Sequence, residues 1–247
     1  MGEYRIDHPQ EGLWVIWDNS INIYLIAGEK KAVLLDTGFG WFDNLRKTCE
    51  QLCGLPVELY HTHVHGDHTG GDGEWEEAWL NPIDWEAYRA DRGNNIKLLP
   101  LEEGMVIDLG GRELEVYHIP GHSAGSMAFL DRKNRILFPG DTVMRQPVFL
   151  FAPDASAEAF LSSLEKLQAL DAFDTVYPCH EKWPLDPKEA IPALMDCARQ
   201  AIAGDPAGLT TLQIDLGVAV ASFEGYGCGG YGVATRPLDG PDGPADK

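Results

Sequence analysis

His61-Thr62-His63-Val64-His65-Gly66-Asp67-His68 sets four imidazoles and a carboxylate close together, directly after an apolar run, Val57 to Tyr60, that reads as a strand. Packing alone rarely asks for such a cluster. Imidazole nitrogen and carboxylate oxygen are the donors that a borderline cation such as zinc accepts, and a catalytic site of this kind keeps one position open for water. In extended backbone His63 and His65 point to the same side, so they can reach one cation together. Asp67 and His68, beyond the bend at Gly66, are placed to reach a second.

Two histidines do not complete a cation site, and the rest of the chain supplies further donors, each at the end of a predicted strand. They are His122 in Pro120-Gly121-His122-Ser123, Asp141 in Pro139-Gly140-Asp141-Thr142, and His180 in Pro178-Cys179-His180-Glu181. The Pro-Gly and Pro-Cys lead-ins predict sharp turns that present a side chain at a sheet edge.

With Leu34-Leu35-Asp36-Thr37-Gly38 upstream, these motifs together resemble the metallo-β-lactamase-fold hydrolase superfamily, over nearly the whole chain and in the expected order. Cys179-His180-Glu181 is similar to glyoxalase II thioesterases, and the whole set resembles the glyoxalase II / lactonase-like branch. The resemblance implies an α+β fold: an αββα four-layer sandwich of two mixed β-sheets with helices on the outer faces and two metals at one sheet edge. It implies that His63, His65 and His122 bind the first metal, that Asp67, His68 and His180 bind the second, and that Asp141 bridges them. Two Zn2+ per chain are expected, with Fe or Mn as alternatives. Asp36 is expected to support the metal loop without binding metal.

The chemistry so implied is hydrolytic. Two adjacent cations lower the pKa of a shared water from about 15.7 to about 7, so a bridging hydroxide is available to attack a carbonyl carbon. Asp67 is the residue expected to shuttle the proton toward the leaving group, which makes it the catalytic candidate. A small ester, lactone or thioester is the expected substrate. True β-lactamases of this fold lack the aspartate that stands here as Asp141, which makes β-lactam hydrolysis a minor alternative. His65 stands where the redox branch has glutamate, and Met144 where lactonases have tyrosine. A mononuclear iron persulfide dioxygenase-like enzyme and a non-enzymatic metal-binding protein are the remaining alternatives.

Composition narrows the partners. The 247 residues carry 19 basic and 39 acidic side chains, a formal charge of -20, which repels nucleic acid and anionic membrane surfaces. The expected partner is a small-molecule substrate; a homodimer is compatible with the sequence but not specified by it. The N-terminus has no basic segment leading into an apolar stretch, and no run approaches the length of a membrane span, so the expected location is cytoplasmic. Cys49, Cys53, Cys179, Cys197 and Cys228 are odd in number and form no CxxC pair, which predicts reduced thiols.

Periodicity fills in the elements. Leu13 to Trp17, Ile21 to Ala27 and Ala32 to Leu35 read as antiparallel strands, and Trp41 to Leu52 as an amphipathic helix. The second half repeats the plan: Met105 to Asp108, Glu113 to Ile119, Met127 to Leu130 and Ile136 to Phe138 read as strands. A helix follows, N-capped by Ser156. Thr175 to Tyr177 reads as a short strand, and Asp186-Pro187-Lys188-Glu189 predicts a capped helix running to about Ile202. Residues 209 to 236 suggest further strands around a Gly-rich turn, Gly225 to Gly232. The chain is expected to form one domain over 1–236 with a Pro/Gly-rich tail at 237–247. His8, His61 and His118 match no ligand position. Trp75, Trp79, Trp85, Trp183 and the run Val148 to Phe151 are candidates for core or pocket wall.

Overall fold

The structure, a computed structural model, describes residues 4–18, 21–150, 154–182, 184–203, 209–210, 220–223 and 226–229. A first sheet has the order β1 (Arg5–Gln10), β2 (Leu13–Trp17), β3 (Asn22–Ala27), β4 (Ala32–Leu35), β5 (Val57–Tyr60), β6 (Glu77–Leu80), β7 (Lys97–Pro100). Its first four strands form an antiparallel meander, and β4 to β7 then run parallel. Three helices interrupt it: α1 (Leu45–Cys53), α2 (Gly66–Thr69) and α3 (Trp85–Arg92).

The second sheet has the order β13-β11-β10-β9-β8, built from β8 (Val106–Asp108), β9 (Glu113–His118), β10 (Met127–Asp131), β11 (Ile136–Phe138) and β13 (Thr175–Val176). A third, smaller sheet joins β12 (Val148–Phe149) to β16 (Tyr226–Gly229), β15 (Val220–Phe223) and β14 (Leu209–Thr210). The helices α4 (Ala157–Leu170) and α5 (Pro187–Ala203) complete the described elements.

Alternation along β10 explains the layering. Met127 and Phe129 enter the core shared with the first sheet, beside Leu25, Leu34 and Leu59. Ala128 and Leu130 turn the other way, into a core made with Phe160, Leu164 and Leu167 of α4 and Leu194 and Ala198 of α5. All of β10 is buried, because a strand covered on both faces needs no polar alternation. The result is the αββα sandwich that the sequence predicts.

Several boundaries differ from the sequence reading. The first helix begins at Leu45 and not at Trp41, because Gly40 (φ 71) and Asn44 (φ 68) hold the left-handed conformation and break the turn ahead of it. Within the Gly-rich run, Tyr226–Gly229 forms a strand paired to β15 and β12, so this part is ladder and not turn. Gly225, Gly230 to Gly232, Trp183, Phe151 and the tail 237–247 lie outside the described residues. Strands β1, β6 and β7 and helix α3 escaped the sequence reading, since each is short and carries charge within it.

The fold gathers the candidate donors because β4, β5, β9, β11 and β13 all end at one edge of the sandwich. Strands β4 and β5 are parallel, as are β11 and β13, and their following loops carry Asp36, the histidine cluster, Asp141 and His180. The loop after β9 carries His122, and its Gly121 sits at φ 146, where an added Cβ would lie 2.4 Å from Cα of Phe160 on α4. Gly121→Ala combines this clash with a strained φ, so we expect the metal-free protein to lose about 2–5 kcal/mol in urea unfolding. An unchanged midpoint would show that α4 can retreat from the turn.

Candidate metal centre

The site forms from the backbone outward. Asp36, the first residue after β4, holds a left-handed conformation (φ 67), and its carboxylate meets the histidine loop. There it accepts from Thr62 N (2.8 Å), Thr62 Oγ1 (2.7 Å) and His68 Nδ1 (2.8 Å), and lies 3.4 Å from His61 Nδ1. From the neighbouring strand β3, Asn22 N donates across to Cys179 O (2.7 Å) of the turn after β13, while Asn22 Nδ2 (3.1 Å) and Tyr24 Oη (2.5 Å) donate to Pro178 O. This clamp fixes the turn that presents His180.

The structure brings His63, His65, Asp67, His68, His122, Asp141 and His180 together. His63 Nε2 lies 3.0 Å from His65 Nδ1, and His122 Nε2 lies 3.2 Å from His63 Nε2 and 2.9 Å from His65 Nδ1. On the other side His180 Nε2 is 3.3 Å from Asp67 Oδ2, and His68 Nε2 is 3.7 Å from the same oxygen. Asp141 stands between the groups, with Oδ2 3.5 Å from His122 Nε2 and 3.3 Å from His180 Nε2, and Oδ1 3.4 Å from His68 Nε2.

Partners on the far side of the rings settle which nitrogens carry protons. His122 Nδ1 faces Phe149 O at 2.7 Å, and a carbonyl only accepts, so Nδ1 holds the proton and Nε2 presents its lone pair. Thr62 Oγ1 donates to Asp36 and so accepts from His63 Nδ1 (3.1 Å), which frees His63 Nε2 in the same way. His68 Nδ1 donates to Asp36, and its buried Nε2 has no hydrogen-bond partner among the described residues. Buried Asp141 Oδ1 likewise has none. Lone pairs converging at about 3 Å with no proton to share repel one another unless a cation sits among them. A tetrahedral ion with bonds of about 2.0–2.1 Å spaces its donors about 3.3 Å apart, close to what is found, so the donor set fits zinc.

Charge is divided unevenly across the centre. Burial, with His68, His65 and His122 nearby, holds His63 well below the usual imidazole range, and burial with His122 and His68 brings His65 down to about 4. Burial lowers His122 as well. Burial also opposes charge on His68 and His180, but for both the Asp141 carboxylate outweighs it. His68 is raised well above its ordinary value and His180 to about 10. Asp141 stays ionised against its own burial because His180 and His68 face it. The first trio is therefore neutral, with lone pairs to offer, whereas the second group would have to give up protons to take a cation.

His61, which matches no ligand position, is fully buried and sits between two carboxylates, Asp36 and Asp72 (Nε2 to Oδ2, 3.0 Å). Burial opposes its charge, yet Asp72 and Asp36 raise it to about 9. Thr37 Oγ1 and Tyr88 Oη donate to Asp72 (both 2.7 Å), so a continuous chain runs from Asp72 through His61 and Asp36 to His68. His118 Nε2 donates to Ala124 O (2.7 Å), and His8 stacks on Trp14. Sequence reasoning missed Thr62, Asp72 and Tyr88; only Thr62, inside the histidine cluster, carried a local signal.

A cavity of about 360 Å³ opens over the donors, walled by Met144, Gln146, Pro147 and Phe149. Gln146 ties this wall to the His180 turn through Glu181 Oε1 (2.7 Å) and His180 O (3.1 Å). Phe149 is thus pocket wall, while Val148 and Leu150 are buried. Trp75 is in the core, Trp79 stacks on Tyr60, and Trp85 Nε1 donates to Leu80 O, so none of these three lines the cavity.

Comparison with known proteins agrees with this architecture. A chicken (Gallus gallus) protein, acyl-coenzyme A thioesterase MBLAC2, is 30% identical over 194 residues, covering 62% of this chain and 68% of its own. The atrochrysone carboxyl ACP thioesterase of Aspergillus fumigatus is 30% identical over 169 residues, covering 64% of this chain and 37% of its own. Among solved structures, a metallo-beta-lactamase from Pontibacter korlensis superposes with a TM-score of 0.68 at 20% identity, over 80% of this chain and 99% of that one. The pattern of the family described as the metallo-beta-lactamase superfamily matches residues 16–180, a span that holds every candidate donor, and the chain belongs to that superfamily.

Proposed function

We propose that the protein is a dinuclear zinc hydrolase of acyl thioesters. The observation that carries this reading is Asp141, whose carboxylate contacts both the His63, His65 and His122 trio and the Asp67, His68 and His180 group. A single-ion enzyme would leave one of these groups without a purpose. The thioester bond is favoured by the relatives named above, which act on coenzyme A and acyl carrier protein thioesters, both of which carry the acyl group on a phosphopantetheine thiol.

Two divalent cations here would activate water near neutral pH and polarise the thioester carbonyl. The remaining work falls to the chain. Met144, Pro147 and Phe149 offer an apolar wall for the acyl group and displace water from it. Asp67 lines the same cavity, and His180 and His68 keep it ionised against its burial, the form in which a carboxylate can accept a proton from water. A thiol of pKa about 8.5 leaves readily as thiolate, so a strong acid beside the sulfur is not required. The products are the carboxylic acid and the free thiol.

Zinc-loaded protein is expected to hydrolyse a medium-chain acyl-coenzyme A at least about tenfold faster, in kcat/KM, than the matching oxygen ester, a preference of about 1.4 kcal/mol. Thiol release followed with a chromogenic thiol reagent measures it. Chelation should abolish turnover and added zinc restore it; no thiol release from loaded protein would refute the reading. No helix of the described residues is long and apolar enough to cross a membrane.

A further inference from the structure

Asp84 donates to no candidate cation, yet it sits behind the first trio. It closes a single 3-10 turn, Pro82–Asp84, between β6 and α3, and is 2% exposed. That turn is itself pinned, since Asn81 Oδ1 accepts from Ile83 N (3.0 Å) and Asp84 N donates to Asn81 O (3.0 Å). The backbone N–H groups of Gly125 and Val64 face the Asp84 carboxyl group and oppose the rise that burial gives it. Its Oδ2 has no hydrogen-bond partner among the described residues.

The two N–H groups are informative by position. Val64 stands between His63 and His65, and Gly125 follows His122 by three residues in the same loop. These loops leave different sheets, one from β5 and the other between β9 and β10, so neither sequence alone fixes the gap between them. At Gly125 an added Cβ would lie 2.3 Å from Cγ of Asp84, so glycine is what lets the carboxyl group reach this backbone. Burial first and the nearby Asp154 second push Asp84 up to about 7. The second donor group is tied elsewhere, through Asp36 and Gln146.

We propose that Asp84 is a positioning residue that holds the His63-Val64-His65 segment and the His122 loop at the spacing the three imidazoles need, and so sets the affinity of the first cation site and not the second. The inference rests on the two-cation reading. Outer partners of this kind are worth about 10–100-fold in metal affinity. Asp84→Asn keeps one accepting oxygen to turn toward these N–H groups, whereas Asp84→Ala removes both.

The test titrates metal-free wild-type, Asp84→Ala and Asp84→Asn proteins with Zn2+ against a chromophoric chelator. It also records imidazole 1H–15N correlations before metal is added. For Asp84→Ala we expect one binding step to weaken by about tenfold or more and the other by less than about threefold, with the His63, His65 and His122 signals shifted and those of His68 and His180 in place. Asp84→Asn should restore both. Should Asp84→Ala not fold, Asp84→Ser, too short to reach both N–H groups, is read by the same criterion. Equal weakening of both steps, or no weakening with unshifted signals, overturns the proposal. A wild-type chain that takes up a single Zn2+ refutes the two-cation reading instead, and Asp84 is then decided by the metal-free imidazole signals.

Discussion

Asp141→Ala is expected to lose at least one of two bound cations and about 10²–10⁴-fold in kcat/KM, the equivalent of about 3–5 kcal/mol for breaking a buried charge cluster. The carboxylate is the first-ranked attraction that keeps His68 and His180 charged against their burial, and both its oxygens face imidazole nitrogens. Without it the two groups have no shared donor, and three buried rings face each other across a void. Asp141→Asn separates charge from shape, since the amide keeps the volume and one acceptor oxygen. It should bind cations better than alanine and worse than wild type. Elemental analysis of dialysed protein, alongside thiol release, gives both readouts, and two retained cations with full turnover in Asp141→Ala would remove the basis of the two-cation reading.

Why the seven candidate donors stand out in the sequence while the residues behind them do not has a physical cause. A histidine or aspartate placed directly after a Pro-Gly or Pro-Cys turn is conspicuous wherever it falls, so His122, Asp141 and His180 stand out without knowledge of the fold. Asp72 and Asp84 look like any acidic residues of a chain with a charge of -20, and only the packing shows them to be buried. The same contrast holds for the elements. β10 is continuous in apolar residues and legible, whereas β7 (Lys-Leu-Leu-Pro) is set by its parallel pairing to β6, a partner distant in sequence. The helix start at Leu45 was misjudged because Trp41 and Phe42 continue the apolar period that Asn44 interrupts only through its backbone conformation.

Asp36→Asn should be the most damaging change outside the donors, and the reason is one of hydrogen counting. Thr62 N and His61 Nδ1 face Oδ1, and Thr62 Oγ1 and His68 Nδ1 face Oδ2, so both oxygens are met by donors. Asparagine tolerates the left-handed backbone here, which leaves the main chain unstrained. Its amide, however, has one accepting end, and either orientation sets NH2 against N–H or O–H groups. If NH2 takes the Oδ2 place, His68 can respond only by moving its proton to Nε2, the nitrogen that faces Asp141. A protonated Nε2 cannot bind a cation.

The expected results are a 10–100-fold loss of affinity at the second cation site and about 2–4 kcal/mol of metal-free stability at pH 6. The acid limb of stability carries a further mark. Burial opposes ionisation of Asp36, but His68 and His61 overcome it and bring the group down to about 2 from 3.8. A depressed carboxylate stabilises the fold above its unfolded pKa, and that contribution is lost as pH falls from about 4 toward 2. His61, raised to about 9, acts with the opposite sign: its contribution is complete below about 6.5 and is lost as pH rises through 9. Urea unfolding of metal-free wild type across this range should therefore show both declines. Asp36→Asn should make the acid one shallower, leaving the share of Asp141 and Asp67, and it should also weaken the alkaline one, because Asp36 is one of the two carboxylates that keep His61 charged. If the variant keeps both slopes and the second cation, the carboxylate is not what orients His68, and the chain from Asp72 through His61 is packing alone.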